Sequence, residues 1–242
     1  MKFLLVTDLD HTLVGDAQAL LHLNQKLMAM RSQVGLIYAT GRSYASARRL
    51  QQQVQLLEPD FWITGVGTEI YQKEEQNQSW ANHLSAGWDR SAIVGLTQAF
   101  PELVPQPDAD QNPWKISFFL RSQQAEEILA TLRHRLAEAG LAAQVVFSSD
   151  RDVDILPRQG DKGLAMTHLR QQLQIAPTAT LVCGDSGNDI SLFQHKTLGV
   201  MVGNAQPELR HWYSQHGQPH HYFAQSRYAW GILEALFHFN LL

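Results

Sequence analysis

Short apolar segments that alternate with amphipathic ones constrain the fold of this chain more than any other feature. Residues 3–7, 34–40 and 61–65 are runs of branched and aromatic side chains, which are typical of buried strands. The stretches between them, 17–30 and 43–57, space their apolar residues as helices do. Because parallel strands cannot be joined by a short turn, this repetition predicts a parallel sheet with crossover helices.

The same alternation returns in the last third of the chain. The pattern predicts helices over 161–173 and 228–239, and strands over 180–184, 198–203 and 221–224. The predicted fold class is therefore α/β, with a doubly wound, Rossmann-like parallel sheet.

The middle of the chain has a different pattern. Its predicted elements are a helix over 84–100 stopped by Pro101, a loop over 101–113, a strand over 115–120, a helix over 123–139, and a hairpin of 143–149 with 153–156. We therefore expect a small α+β domain over residues 84–157. It is inserted into a core domain made of residues 1–83 and 158–242.

Composition excludes several classes of protein. The 242 residues carry a formal net charge of -4 and are 44% hydrophobic, which suits a globular chain with one large core and a small second domain. Mild acidity gives no reason to expect binding to nucleic acid or an anionic membrane. The single cysteine, Cys183, excludes an intramolecular disulfide and predicts a cytoplasmic location. We expect neither a signal peptide nor a membrane span.

Polar motifs follow the predicted strands, at the edge where open parallel sheets bind their ligands. Asp8 and Asp10 follow the first strand, Thr40 follows the second, and Asp185 follows the strand over 180–184. Lys162 lies at the start of the helix after the inserted unit. Scattered surface charges would not sort in this way, so we expect these side chains to converge on one site.

These residue types suit phosphoryl transfer. Three aspartates near one point, Asp8, Asp10 and Asp185, form an oxygen site of the kind that Mg²⁺ prefers. One carboxylate can attack phosphorus, and a second can protonate the leaving oxygen and later activate water. A hydroxyl such as that of Thr40 and an ammonium such as that of Lys162 can hold the transferring phosphoryl oxygens.

Four motifs resemble, in order, those of the haloacid dehalogenase-like phosphatases. They are "DLDHT" (8–12), "TGR" (40–42), Lys162 in "GDKG", and "GDSGND" (184–189). The inserted unit resembles the α/β cap domain of some of these enzymes. Further stretches are similar to the sucrose-phosphate phosphatases of cyanobacteria and plants: "YATGRSY", "VGTEIY", "NPWKIS" and "GDSGND…NAQPEL". This second resemblance covers essentially the whole chain.

The resemblance implies a Mg²⁺-dependent hydrolysis of sucrose 6-phosphate to sucrose and phosphate, the last step of sucrose synthesis. Asp8 would be the nucleophile that forms an aspartyl-phosphate, and Asp10 the general acid and base. Mg²⁺ would be held by Asp8, the backbone carbonyl of Asp10, and Asp185, with Asn188 and Asp189 in support.

The resemblance also implies a set of substrate contacts and partners. Thr40 and Lys162 would bind the phosphoryl group and take part in catalysis. The full set expected in substrate binding is Thr40, Gly41, Arg42, Ser43, Tyr44, Thr68, Glu69, Asn112, Lys115, Lys162 and Asn204. The expected partner is a small sugar phosphate, with the protein acting as a monomer or in association with a sucrose-phosphate synthase.

Other interpretations of the same motifs stay open at this point. The chain could be another sugar- or sugar-acid-phosphate phosphatase, or a phosphosugar mutase, of the same superfamily. A paired-aspartate motif also occurs in glycosyltransferases, although the later motifs argue against that class. A sugar-phosphate sensor without catalytic activity is a further alternative. Physical reasoning on the residues alone does not identify the sugar.

Overall fold

The computed structural model describes residues 2–242, which form two sheets and the helices that cover them. The strands are β1 (Phe3–Thr7), β2 (Val34–Ala39), β3 (Phe61–Thr64), β4 (Glu69–Gln72), β5 (Glu75–Gln76), β6 (Val104–Pro105), β7 (Ile116–Phe119), β8 (Ala143–Ser148), β9 (Asp152–Pro157), β10 (Thr180–Gly184), β11 (Leu198–Met201) and β12 (His221–Phe223). The helices are α1 (Ala17–Ala29), α2 (Tyr44–Val54), α3 (Gln78–Ser85), α4 (Arg90–Thr97), α5 (Ala125–Glu138), α6 (Lys162–Gln172), α7 (Ile190–Phe193), α8 (Pro207–His216) and α9 (Tyr228–His238). None of the helices within this range has the length and hydropathy that a bilayer crossing requires.

The larger sheet has the strand order β12-β11-β10-β1-β2-β3-β4-β5. All neighbours from β12 to β3 are parallel, and β4 and β5 add an antiparallel edge. The position of β1 at the centre explains why Phe3 to Val6 form an unbroken apolar run. Phe3 and Leu5 pack into the core on one face with α1, α2 and α9, while Leu4 and Val6 pack into the core on the other. The predicted α/β, doubly wound fold is confirmed.

The smaller sheet has the order β6-β7-β9-β8 and is antiparallel throughout. It has a separate apolar core in which Ile93 of α4 and Leu129 of α5 pack against Ile116 and Val153. The predicted strand, helix and hairpin of the middle segment therefore exist, and they build an α+β unit. The domain boundaries at 84 and 157 stay a prediction.

The single helix predicted over 84–100 is wrong, because two helices, α3 and α4, occupy this segment. Gly87 takes a left-handed backbone conformation between them, with φ of 74°, and Asp89 caps α4 by accepting from Ala92 N–H at 2.9 Å. Leu84 packs into the core of the larger sheet and Ile93 into that of the smaller one. The apolar spacing thus continues across a linker that passes from one core to the other.

Some elements are not predicted by the sequence pattern. The edge strands β4 and β5 contain charged and amide side chains, and β6 lies within the segment predicted as a loop. Helix α8 is also missed, because Leu209 is the only fully buried residue along it and its apolar stripe is weak. Tertiary contacts, which local periodicity does not report, stabilise these elements.

Candidate active site

Buried carboxylates gather at the carboxyl ends of β1 and β10. Asp8 follows β1 directly and Asp185 follows β10, and these strands are parallel neighbours, so both side chains emerge at one edge of the sheet. Asp189, in the turn after Asp185, joins them. Each of the three residues offers a carboxylate oxygen within 4.8 Å of the other two, and all three are buried.

Lys162 holds this cluster together. It is the first residue of α6, whose start is fixed by Asp161, which accepts from Leu164 N–H at 2.7 Å. The Lys162 side chain is fully buried. Its Nζ donates to Asp8 Oδ1 at 2.8 Å, Asn188 Oδ1 at 2.7 Å and Asp189 Oδ1 at 2.8 Å. Although burial opposes the charged form, the carboxylates of Asp189 and Asp8 raise the pKa of Lys162 above its ordinary value.

Asp189 orders the loop that carries Asp185. Its Oδ2 accepts from the backbone N–H groups of Asp185 at 2.9 Å and Ser186 at 3.1 Å. Since its Oδ1 accepts from Lys162, both of its oxygens are used by the protein. This geometry agrees with the supporting role expected for Asp189 beside a metal.

Asp8 and Asp185 supply the donor chemistry for a divalent cation. Burial, partly offset by Lys162, raises the pKa of Asp8 to about 7. Burial and the neighbouring Asp8 carboxylate raise the pKa of Asp185 to about 8. The Thr12 hydroxyl donates to Asp185 Oδ1 at 3.0 Å and fixes that side chain. Carboxylates this close repel one another, and a hard dication such as Mg²⁺ would relieve the repulsion. The residues therefore fit the expected metal.

Asp10 lies at the mouth of the site rather than in its buried centre. The Arg42 guanidinium donates to its two carboxylate oxygens at 2.6 and 2.8 Å. Arg42 also donates to Ser46 Oγ at 3.0 Å, which fixes the plane of the guanidinium. Buried Thr40 Oγ1 accepts from Arg42 N–H at 3.2 Å. Asp10 is thus oriented by an arginine while its side chain stays 41% exposed.

A cavity of about 380 Å³ separates the carboxylates from the smaller sheet, a size within the ~300–1,000 Å³ of small-molecule sites. On the side of the larger sheet it is lined by Asp8, Asp10, His11, Thr40, Gly41, Arg42, Asp185, Ser186 and Asn188. On the other side it is lined by Gln106, Asp110, Lys115, Phe119, Ser148, Ser149, Arg151, Asp152 and Asp154. The second wall is rich in hydrogen-bonding groups, as a polyhydroxylated ligand requires.

The second wall is largely missed by the sequence pattern. Only Lys115 is predicted there, and its Nζ contacts Asp154 Oδ1 at 3.0 Å and Ser117 Oγ, with all three residues buried. The available signal is Asp154, an acid within the apolar run 153–156. A charge in such a strand needs a buried partner, and Lys115, which directly precedes the neighbouring strand β7, provides it.

Several predicted substrate residues do not line the cavity: Ser43, Tyr44, Thr68, Glu69, Asn112, Lys162 and Asn204. Lys162 lies beneath the cavity, behind Asp8 and Asn188, which do line it. Tyr44 stacks on Tyr71, with ring centroids 4.1 Å apart, and packs against the core under α2. Glu69 accepts from the Thr64 hydroxyl at 3.1 Å, and burial raises its pKa. Ser43 precedes α2 without a side-chain capping bond.

The two predicted asparagines join segments around the cavity. Asn112 Nδ2 donates to Thr68 Oγ1 at 2.8 Å, linking the segment before β7 to the loop after β3. Asn204 Nδ2 donates to the carbonyl of His11 at 2.7 Å, and its Oδ1 accepts from Tyr228 N–H at 2.9 Å. Asn204 therefore supports the loop that carries Asp8 and Asp10.

A doubly wound sheet with aspartates after its central strands, a buried lysine and an inserted α+β unit defines a haloacid dehalogenase-like phosphatase fold, and solved members of that superfamily share it over the whole chain. A family model described as Sucrose-6F-phosphate phosphohydrolase matches residues 1–240. The chain belongs to this family.

Individual relatives agree with that assignment. A solved sucrose-phosphatase from Synechocystis sp. PCC6803, in complex with sucrose and phosphate, is 51% identical, with a TM-score of 0.97 over 99% of this chain and 98% of that one. Sucrose-phosphatase 1 of Nicotiana tabacum is 38% identical over 99% of this chain. The chain spans 60% of the length of that plant relative. Mannosylfructose-phosphate phosphatase of Agrobacterium fabrum is 36% identical over 98% of this chain and 97% of its own length.

The raised pKa values of Asp8 and Asp185 predict how metal binding and stability depend on pH. An unfolded aspartate titrates near pH ~4, so between pH ~4 and 8 the metal-free folded state binds more protons than the unfolded state. The free energy of unfolding therefore falls as the pH rises through this window, and a cation that replaces the protons reverses the loss. In thermal unfolding, Mg²⁺ should raise Tm more at pH 8 than at pH 6.

Asp185→Asn should remove most of this dependence of stability on pH and Mg²⁺. Without one of the repelling carboxylates, the metal-free variant should be more stable at pH 8 by about 1 kcal/mol, or roughly 2–4 °C in Tm. It should also lose most of the Mg²⁺ response. Asp108→Asn, at an exposed loop position, is the matched control and should behave as the wild type. An Asp185→Asn protein that Mg²⁺ stabilises as strongly as the wild type would contradict the assignment of this carboxylate.

Proposed function

We propose that the protein is a Mg²⁺-dependent phosphatase that hydrolyses sucrose 6-phosphate to sucrose and phosphate. The observation that carries the proposal is the cavity in which a lysine-bound aspartate faces a polar wall of the smaller sheet. The similarity to a sucrose-phosphatase solved with sucrose and phosphate supports the choice of substrate.

In the proposed reaction, the phosphoryl group enters between Asp8 and the start of α6. The Thr40 hydroxyl binds one of its oxygens, and Lys162 exchanges its hydrogen bond to Asn188 for a second one. Lys162 keeps its bond to Asp8 Oδ1, which leaves the second carboxylate oxygen to attack phosphorus. When bound, Mg²⁺ would be held by Asp8, the carbonyl of Asp10 and Asp185, and would neutralise charge on the phosphoryl oxygens.

Asp10 handles the protons in both halves of the cycle. In the first half it donates a proton to the departing sugar oxygen as the Asp8–phosphorus bond forms. In the second half it takes a proton from the water that attacks phosphorus and releases phosphate from Asp8. Arg42 supports this role because its two hydrogen bonds fix the Asp10 carboxylate at the mouth of the site, where leaving group and water must lie.

The smaller domain, residues 84–157, supplies the sugar contacts in this proposal. Lys115 and Asp154 form a buried ion pair whose edge lines the cavity opposite Asp8. A sugar with many hydroxyls can accept from Lys115 and donate to Asp154. The monomeric state, the cytoplasmic location and an association with sucrose-phosphate synthase stay predictions.

A second candidate substrate is mannosylfructose phosphate, because a phosphatase named for it matches nearly its full length to this chain. Both are disaccharide phosphates, so the catalytic aspartates do not distinguish them. Phosphate release should therefore be compared across sucrose 6-phosphate, mannosylfructose phosphate, the hexose 6-phosphates and p-nitrophenyl phosphate, with and without Mg²⁺. Highest kcat/KM with sucrose 6-phosphate, without a bisphosphate activator, supports the proposal. Release only with such an activator would indicate a mutase.

Asp8→Asn should reduce kcat by at least ~10³-fold on every substrate, because an amide is a poor nucleophile toward phosphorus. Circular dichroism and Tm would show whether the fold is kept. The conservative change leaves an oxygen that can still accept from Lys162. A variant that is folded and turns over near the wild-type rate would rule out Asp8 as the nucleophile.

Lys115→Met should separate sugar recognition from chemistry. We expect kcat/KM to fall about 10–100-fold with sucrose 6-phosphate, since a charge-assisted contact to the sugar is lost. Turnover of p-nitrophenyl phosphate should change less than about threefold, because that substrate makes no such contact. Because Asp154 is left buried without its partner, the single variant should also lose stability.

The control for that loss is the double variant Lys115→Met/Asp154→Leu, which removes both charges. It should recover stability without recovering turnover of the sugar phosphate. If the double variant regains sucrose 6-phosphate hydrolysis, then Lys115 acts on folding alone and the sugar-binding role fails.

A further inference from the structure

One oxygen of Glu208, which lies outside the cavity, accepts hydrogen bonds from the backbone of both cavity walls. Glu208, in the first turn of α8, accepts at Oε1 from Gly187 N–H at 3.2 Å and from Ser149 N–H at 2.9 Å. Gly187 belongs to the loop that carries Asp185 and Asp189, and Ser149 lies at the tip of the β8–β9 hairpin. Two donors from different domains thus share one acceptor.

The hairpin tip also contacts the loop over residues 185–189 directly, and we call this segment the acidic loop. A Cβ placed on Gly187 would lie 2.3 Å from the carbonyl oxygen of Phe147, so only glycine permits this approach. Ser149 and Asp150 both have left-handed backbones, with φ of 55° and 53°. Two successive non-glycine residues in this conformation are unfavourable alone, so the hairpin tip depends on contacts such as the one to Glu208.

Glu208 is itself fixed to the acidic loop through the backbone. Gln206 N–H donates to the carbonyl of Asp185 at 2.7 Å, and Leu209 is fully buried in the core beside α6. Glu208 does not line the cavity. Its effect on a bound substrate must therefore pass through the hairpin, whose residues Ser148, Ser149, Arg151 and Asp152 do line it.

We propose that Glu208 is a positioning residue that fixes the β8–β9 hairpin on the acidic loop, so that the sugar-facing wall and the phosphoryl site are aligned for one substrate. The role rests on the proposed function, because it assumes a substrate that contacts both walls. A substrate that reaches only the carboxylates has no need of this alignment.

Hydrogen exchange tests the contact without using activity. In Glu208→Ala, amide exchange in the peptide that contains Ser149 should be about tenfold faster than in the wild type, in keeping with loss of a hydrogen bond to a charged acceptor. Glu208→Gln keeps an oxygen acceptor and should restore protection. Gln215→Ala, exposed on the same helix, is the matched control and should leave exchange at Ser149 unchanged.

Kinetics test the consequence for the substrate. In Glu208→Ala, kcat/KM for sucrose 6-phosphate should fall about tenfold, mainly through KM, while p-nitrophenyl phosphate turnover changes less than about twofold. Gly187→Ala displaces the hairpin sterically, so combining it with Glu208→Ala should add little further loss with the disaccharide phosphate.

Three results would overturn the proposal: unchanged exchange at Ser149 in Glu208→Ala, equal losses on the two substrates, or fully additive losses in the double variant. Failure of the proposed function looks different. In that case the wild type would not hydrolyse sucrose 6-phosphate, yet the exchange difference at Ser149 would persist and would support the positioning contact. If Glu208→Ala does not fold, two other variants provide the same test. Amide exchange at Ser149 should equal that of the wild type in Glu208→Gln and should be faster in Gly187→Ala.

Discussion

The buried ammonium of Lys162 is the interaction on which the site depends. A lysine with no solvent contact is costly unless its charge is matched, and here the carboxylates of Asp8 and Asp189 and the amide oxygen of Asn188 surround it. In return, the lysine allows these two acids to lie in the interior, one directly after β1 and the other in the loop after β10. Without Lys162, these carboxylates would repel one another, because the cation that now lies between them would be missing.

This arrangement gives the two aspartates of "DLDHT" different environments. Asp8 is buried and bound to Lys162, with its pKa raised to about 7. Asp10 is at the mouth and paired with Arg42. A nucleophile benefits from a fixed position beside a cation, and a proton carrier from access to the leaving group and water. The alternate positions after one strand thus give the same residue type two different environments, which suit the two roles proposed for them.

Much of the core domain is predictable because its strands are buried on both faces. Unbroken apolar runs such as residues 3–7 give a strong signal, and polar residues that follow them must meet at one edge of a parallel sheet. This constraint alone predicts that Asp8, Thr40 and Asp185 converge, and the cavity they line confirms it. The prediction from apolar spacing fails over 84–100, because the regularly spaced apolar residues of that segment pack into two different cores.

The wall of the cavity on the side of the smaller sheet could not be predicted in the same way. Gln106, Arg151 and Asp152 reach the cavity because the two sheets face each other there, and no local pattern reports that contact. Tyr44 shows a different limit, since this residue beside a motif packs against the core and stacks on Tyr71, and its predicted contact with substrate stays a prediction. Proximity in sequence to a catalytic motif is therefore weaker evidence than a buried charge such as Asp154, which requires a partner.

The central claim is that Asp8 carries the phosphoryl group during turnover, and trapping that group tests it most directly. In the Asp10→Asn variant with Mg²⁺, p-nitrophenyl phosphate needs no proton on its leaving group, so the first half-reaction proceeds while water activation is lost. Acid quenching followed by peptide mass spectrometry should find the phosphoryl group on the peptide that contains Asp8, with a burst of nitrophenol close to one equivalent of enzyme. A burst with the phosphoryl group on another residue, or turnover without any covalent adduct, would contradict the account.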